Sequence, residues 1–160
     1  MAKLILIAAV GKNRELGQNN DLIWHLKKDM QFFKNQTINH PVVMGYNTFI
    51  SLKKPLANRE NIVLTHRNIN IPGVTIFNDI NLLKEYLNKS QDIVYIIGGA
   101  AIYKLFIDCA DILLLTEIDA DCLTADKYFP DFDKDDYQEE ILNEDNEEGI
   151  NYKHIKYIRK

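Results

Sequence analysis

The sequence predicts one α/β domain, with a central mixed but mainly parallel sheet flanked by helices and a C-terminal antiparallel hairpin. Three observations carry this. Apolar runs of strand length alternate with stretches of helical spacing as far as residue 118, the order that builds a parallel sheet. Two weakly alternating segments, 137–142 and 151–158, are joined by an acidic stretch over 143–149, the pattern of an edge hairpin. The chain has 160 residues and is 46% hydrophobic, which suits one core over 1–160 and excludes a disordered protein.

Residues 4–10 (LILIAAV) are a continuous apolar run ended by Gly11-Lys12-Asn13, a buried strand followed by a turn. A polar loop over 13–21 leads to Leu22-Ile23-Trp24. Residues 25–36 place Leu26, Met30 and Phe33 on one helical face. Residues 41–45 read as a short strand, with Pro41 at the first position, where it is tolerated. Asn47 is the expected cap of a short helix to Leu52. Strands follow at 61–65 and 74–77, the second after the Pro72-Gly73 turn, and Asp79 starts a helix through Leu87. Residues 92–97 are a further buried strand broken by Gly98-Gly99; 100–107 then read as helix and 111–118 as strand.

Charge and cysteine usage narrow the class. The net charge is −4, yet residues 131–149 hold ten acidic residues and one lysine, leaving 18 basic against 13 acidic residues elsewhere. The body of the protein is therefore mildly basic, which suits anionic small molecules, and the acidic stretch reads as a solvated connection. With no Lys/Arg stripe, a nucleic-acid footprint is not expected. Cys109 and Cys122 form no CxxC pair and are expected to be reduced thiols of a cytoplasmic protein. The seven-residue run at 4–10 is too short to cross a bilayer, and no targeting signal is evident, so no membrane partner is expected. His25, His40, His66 and His154 show no metal spacing, so no metal is expected; GxSxG and GxxxxGK[ST] motifs are absent.

Two features carry chemistry. Asp29 falls at the edge of the apolar arc of helix 25–36, between Phe32 and Phe33 on the wheel. Apolar surroundings penalise its charged form, so it needs either a structural partner or a cationic ligand group. The second feature is Gly98-Gly99, between a buried strand and a helix, where backbone N–H groups can approach phosphate oxygens unobstructed. It is not GxGxxG, which argues against an ordinary Rossmann domain, and it also fits a plain turn.

Together these segments resemble the dihydrofolate reductase family. LIWHLKKDMQFFK is similar to its signature Leu-Pro-Trp-x-Leu-x-x-Asp-x-x-x-Phe-Lys, and PVVMGYNTFISL to its strand-Met-Gly-x-x-Thr-Phe-x-Ser-Leu/Ile element. PLANRENIVLT, VYIIGGAAIY and LLLTEIDADCLTADKYFP follow in the family's order and near its spacing, so the match runs over about 4–130. The resemblance implies a monomeric enzyme that reduces 7,8-dihydrofolate to tetrahydrofolate with NADPH, feeds one-carbon metabolism, and binds antifolates.

It also implies roles for residues. Asp29 accepts hydrogen bonds from the pterin's amidine-like edge, and Thr116 bonds both Asp29 and the pterin amino group. Leu22 and Trp24 stand with these two at the catalytic centre. Ile7, Ala8, Leu56 and Ile97 wall the pterin, while Met30 and Phe33 contact the ring and the aminobenzoyl group. Arg59 takes the substrate's α-carboxylate with Lys34 and Lys54 nearby; without the motif it would read as a solvated charge. For NADPH, Ala9 and the lid Leu16, Gly17, Asn20, Asp21 and Leu22 cover the nicotinamide. Gly45, Tyr46, Asn47, Thr48, Leu64, Thr65, His66 and Arg67, with the turn Gly98, Gly99, Ala100, Ala101 and Ile102, hold the rest, and family members carry a cis peptide between the two glycines. Tyr103 either closes the site near the nicotinamide or is a core aromatic.

Two positions depart from the family pattern. Ile23 stands where proline usually precedes the tryptophan, which should loosen the lid. Tyr46 replaces the usual arginine after Met-Gly, so the charge that selects NADPH over NADH would have to come from His66 and Arg67. Two rival readings are a pyrimidine-pathway reductase of the same fold, which would not need Trp24, Asp29 and Phe33 together, and a catalytically idle module, which would need neither Asp29 nor Arg59.

Overall fold

The structure, a computed structural model, describes residues 2–19 and 21–160. Its centre is an eight-stranded sheet. In chain order the strands are β1 (Lys3–Val10), β4 (Val42–Gly45), β5 (Asn61–Leu64), β6 (Val74–Phe77), β7 (Ile93–Gly98), β8 (Ile112–Ile118), β10 (Tyr137–Glu147) and β11 (Ile150–Arg159). They lie side by side as β10-β11-β8-β1-β7-β4-β5-β6. Every pair from β8 to β6 is parallel, and β11 runs antiparallel to both β8 and β10. The expected mainly parallel α/β sheet with a terminal hairpin is what forms.

Burial on both faces explains the unbroken apolar runs. Along β1, Leu6 and Val10 face one core layer with Leu83, Leu87, Tyr103 and Phe106 from helices α3 (Ile80–Asn88) and α4 (Ala100–Phe106). Ile5 and Ile7 face the other, with Phe32, Phe33 and Phe49 from α1 (Lys27–Thr37) and α2 (Tyr46–Leu52). Asp79 caps α3 as expected, accepting from the N–H groups of Asn81 and Leu82.

Four expectations need correction. The loop predicted over 13–21 contains β2 (Glu15–Gln18) and, just beyond, β3 (Asp21–Leu22), which join β9 (Lys127–Tyr128) in a small sheet. Strands this short leave no readable alternation, and β9 lies more than a hundred residues away. Asn47 does not cap α2: Gly45 occupies the cap position and no side chain caps it. Met30 is 52% exposed although Leu26 is buried, so the apolar arc of α1 is not uniformly covered. Finally, the acidic stretch is not a free connection, because β10 runs through Glu147 and the turn is confined to Glu148-Gly149. Glu147 accepts from the N–H groups of Lys27 (2.7 Å) and Lys28 (2.9 Å), and Asp145 pairs with the Lys28 ammonium at 3.2 Å. Helix α1 begins after Leu26, whose side chain cannot cap, so its first N–H groups take a cap from another element.

Candidate active site

Asp29 lies in the first turn of α1, where a carboxylate also suits the helix dipole. Its Oδ1 accepts the Thr116 hydroxyl of β8 at 2.5 Å and lies 3.0 Å from Nε2 of His154 on β11. Both contacts fall on Oδ1, and the side chain keeps 17% of its surface exposed. Strand β8 lies between β1 and β11, so the register that pairs Thr116 with Ala9 and His154 puts these residues in one row beneath α1. Ile7, Phe33, Leu56 and Ile97 gather on the same face in one apolar cluster. Trp24 and Ala9 pack beside it with Leu26, Ile118 and Tyr152.

Leu56 and Arg59 sit in a loop that buried Asn61 staples. The Asn61 amide accepts from the Leu56 N–H and donates to the carbonyls of Leu56 and Arg59, all at 2.9 Å. The Arg59 guanidinium donates to the Ala57 carbonyl and the Thr37 hydroxyl, and partial burial lowers its pKa from the ordinary arginine value. Lys34 and Lys54 are exposed. Arg59 is thus a held cation at the far end of the apolar wall.

The residues assigned to the cofactor beyond its nicotinamide lie at and just after the C-terminal ends of three adjacent strands, β7, β4 and β5. Gly45 starts α2 and Gly99 starts α4. A Cβ on Gly45 would meet the Ile102 side chain at 3.1 Å, so these two helix starts approach closely. The Gly98-Gly99 peptide is cis, as the resemblance implied, and Gly98 has φ +123, a conformation side chains rarely adopt. A Cβ on Gly99 would lie 3.6 Å from the Thr48 hydroxyl. Arg67 lies over the Tyr46 ring, 4.5 Å from its centroid, so a guanidinium stands beside the position that lacks arginine. Leu64 and Thr65 are half-buried and His66, Asn47 and Ala101 exposed along this edge. A glycine cradle, two helix starts without a side-chain cap and a flanking cation suit a dinucleotide phosphate.

One assigned residue, Ala8, sits differently, and Tyr103 takes the second of its two expected places, in the core. The Ala8 side chain packs into the layer on the opposite face from Asp29, so only its backbone reaches the site face. Tyr103 is buried in that same layer; its hydroxyl donates to the Ile7 carbonyl at 2.6 Å, and burial pushes its pKa up. Leu22 is 50% exposed on β3, and Asn20 lies outside the described residues. Leu16 and Gly17 belong to β2, and Asp21 accepts from the Leu22 N–H. A cavity of about 870 Å³ opens elsewhere, between the turn after β1 and the ends of β8 and β11. Its lining includes neither Asp29 nor either glycine of the cis pair, so the convergent chemistry lies outside it.

Sequence reasoning missed His154, Asn61 and Glu15. Glu15 is 1% exposed and joins the lid to the body. Burial acts to raise its pKa, but N–H donors from Cys122, its own backbone and Asn13 outweigh this and hold the carboxyl below the usual value. Because the folded pKa is depressed, the stabilisation is present above the unfolded value of about 4.3 and is lost as pH falls through the folded value. The stability gap between the wild type and Glu15→Gln should therefore narrow on acidification below about pH 4.3. A gap independent of pH across that range would remove Glu15 as the lid's anchor.

Comparison with known proteins then decides the family. The dihydrofolate reductase family model matches residues 3–159. A dihydrofolate reductase of Bacillus subtilis is 34% identical over 96% of this chain and 93% of its own length. One from Buchnera aphidicola is 41% identical over 79% of this chain and 78% of its own. The chain belongs to the dihydrofolate reductase family.

Among solved structures, the family's Enterococcus faecalis enzyme, complexed with NADP(H) and RAB-propyl, superposes with a TM-score of 0.90. The identity is 28%, over 99% of this chain and 96% of that one.

Proposed function

We propose that this NADPH-dependent dihydrofolate reductase carries out its reaction against Asp29, with the whole chain 1–160 acting as one monomeric domain in the cytoplasm. The observation that carries the site assignment is the Asp29–Thr116 pair on the sheet face that carries the Ile7, Phe33, Leu56 and Ile97 wall, with Ile97 directly preceding the glycine pair. When bound, NADPH supplies the hydride that reaches the imine carbon of dihydrofolate. The remaining work is this chain's. Asp29 accepts from the amidine-like edge of the pterin, fixing the ring's rotation, and its charge raises the basicity of the ring nitrogen that is protonated. Thr116 holds the carboxylate, Arg59 takes the substrate's carboxylate, and Trp24 with Leu22 shields the reacting faces from water. The two thiols are both free, in keeping with a reducing compartment, and no described helix is long and apolar enough to cross a membrane.

The direct test follows NADPH absorbance on adding dihydrofolate, together with a co-crystal containing folate. Consumption dependent on dihydrofolate, with the pterin edge on Asp29, is the expected result. A pterin seated away from α1 would overturn the assignment. Arg67→Ala should weaken NADPH by about tenfold or more while changing NADH little, because only NADPH carries the additional phosphate. Equal losses for both cofactors would transfer that role away from Arg67.

A further inference from the structure

Resting on this reading of the pterin site, we propose that Glu147 is a positioning residue for Asp29, acting as the cap of the helix that carries it. Helix α1 cannot cap itself. Its ladder begins with the Met30 N–H, which bonds the Leu26 carbonyl at 2.9 Å, so the N–H groups of Lys27, Lys28 and Asp29 come before it. Leu26 holds the cap position in extended backbone and has no side-chain oxygen to offer. Glu147 serves two of the three groups. One carboxylate oxygen accepts from Lys27 at 2.7 Å and the other from Lys28 at 2.9 Å. Donation from Lys28 and then Lys27 holds the Glu147 carboxyl below the ordinary glutamate value, so the cap is charged throughout the neutral range.

Two bonds from one carboxylate to successive N–H groups fix both the position and the rotation of the first turn. Asp29 is the next residue of that turn, so its Cα moves with the capped pair. Glu147 is itself held. It ends β10 opposite Ile150, and the two-residue turn Glu148-Gly149 has φ +53 and +81, the sign that suits a tight hairpin. Strand β11 then pairs with β8, which carries Thr116, and the Asn151 carbonyl accepts from the Asp119 N–H at 2.8 Å just past the end of β8.

The backbone of Asp29 is therefore referred through Glu147, and its carboxylate through Thr116, to one frame of three adjacent strands, β10, β11 and β8. The Lys28 ammonium adds a further tie to that frame, at Asp145. Strands β7, β4 and β5, whose ends carry the cofactor residues, lie on the other side of β1. Loss of the cap should accordingly be felt by the pterin and not by NADPH.

The test compares this cap with one of the same kind elsewhere. Asp79 caps α3 by accepting from two N–H groups, and α3 carries no residue of the site. Each cap is removed by alanine, and Tm, KM for dihydrofolate and the Kd values of folate and NADPH are measured. Glu147→Ala should raise KM for dihydrofolate and Kd for folate by about threefold or more, with NADPH affinity at its wild-type value. Asp79→Ala should lower Tm and leave KM unchanged. Glu147→Gln keeps one carbonyl oxygen for one of the two N–H groups, so its KM should fall between wild type and Glu147→Ala. A lowered Tm with unchanged KM in Glu147→Ala would leave a stability role only and overturn the proposal. Equal losses for folate and NADPH would overturn it too, as would a glutamine variant no better than alanine, which would point to charge alone. Should Glu147→Ala fail to fold, the glutamine variant decides by the same comparison of KM with NADPH affinity. Absence of dihydrofolate turnover in the wild type would instead refute the reading of the site, a separate outcome.

Discussion

Asp29→Asn is expected to lower kcat/KM for dihydrofolate by about 10²–10⁴-fold with the fold retained. The reason lies in which atom the protein already uses. Thr116 and His154 both reach Oδ1, so the amide of an asparagine will turn its oxygen to them. Its NH₂ group then takes the place of Oδ2 and faces the donors of the pterin edge, donor against donor. One charge-assisted bond is lost and a repulsive contact replaces it. Steady-state kinetics with a thermal melt on the same sample checks this. Turnover near wild type would overturn the role of Asp29 in the reaction, and a lowered Tm with that turnover would mean that Asp29 only holds the fold together.

Gly11→Ala should be the most damaging small substitution outside the reacting groups. Gly11 ends the first strand run, and the space beside it is filled from three sides. A Cβ there would meet the Trp24 ring at 2.5 Å, the Glu15 carboxylate at 2.6 Å and the Ala120 carbonyl at 2.9 Å. The last of these is backbone and cannot rotate away, and the neighbouring Lys12 N–H is bonded to that same carbonyl at 2.9 Å. Overpacking of this kind costs about 1–3 kcal/mol, and each kcal/mol lowers Tm by roughly 2–4 °C in a domain of this size. Trp24 must move as well, so KM for dihydrofolate should rise together with the fall in Tm. A variant with wild-type Tm and KM would show that the turn relaxes freely and that Trp24 is not held by this packing.

The strands around Leu6, Val43, Ile62 and Ile96 announced themselves because burial on both faces demands unbroken apolar runs. Asp79 was legible as a cap because its side chain reaches the N–H groups two and three positions on. The cap of α1 was not, because it comes from Glu147, 120 residues away, and a local pattern holds no trace of it. The strands of the lid were hidden for the same reason, since β2 is paired by Lys127 and Tyr128.

The candidate site divides along the same line. Asp29, Thr116, Phe33 and the glycine pair lie within short motifs whose spacing survives in the linear chain, so the family and its chemistry followed from the sequence alone. His154 lies in no such motif; it reaches Asp29 only because β11 pairs with β8 in the register that sets it opposite Thr116. Asn61 likewise read as one more strand residue until its amide was seen to staple Leu56 and Arg59. Local spacing determined which groups the protein carries, because hydrophobic period and cap chemistry act over a few residues. The sheet register decided which of those groups meet, because contact between distant strands depends on the packing of the whole core.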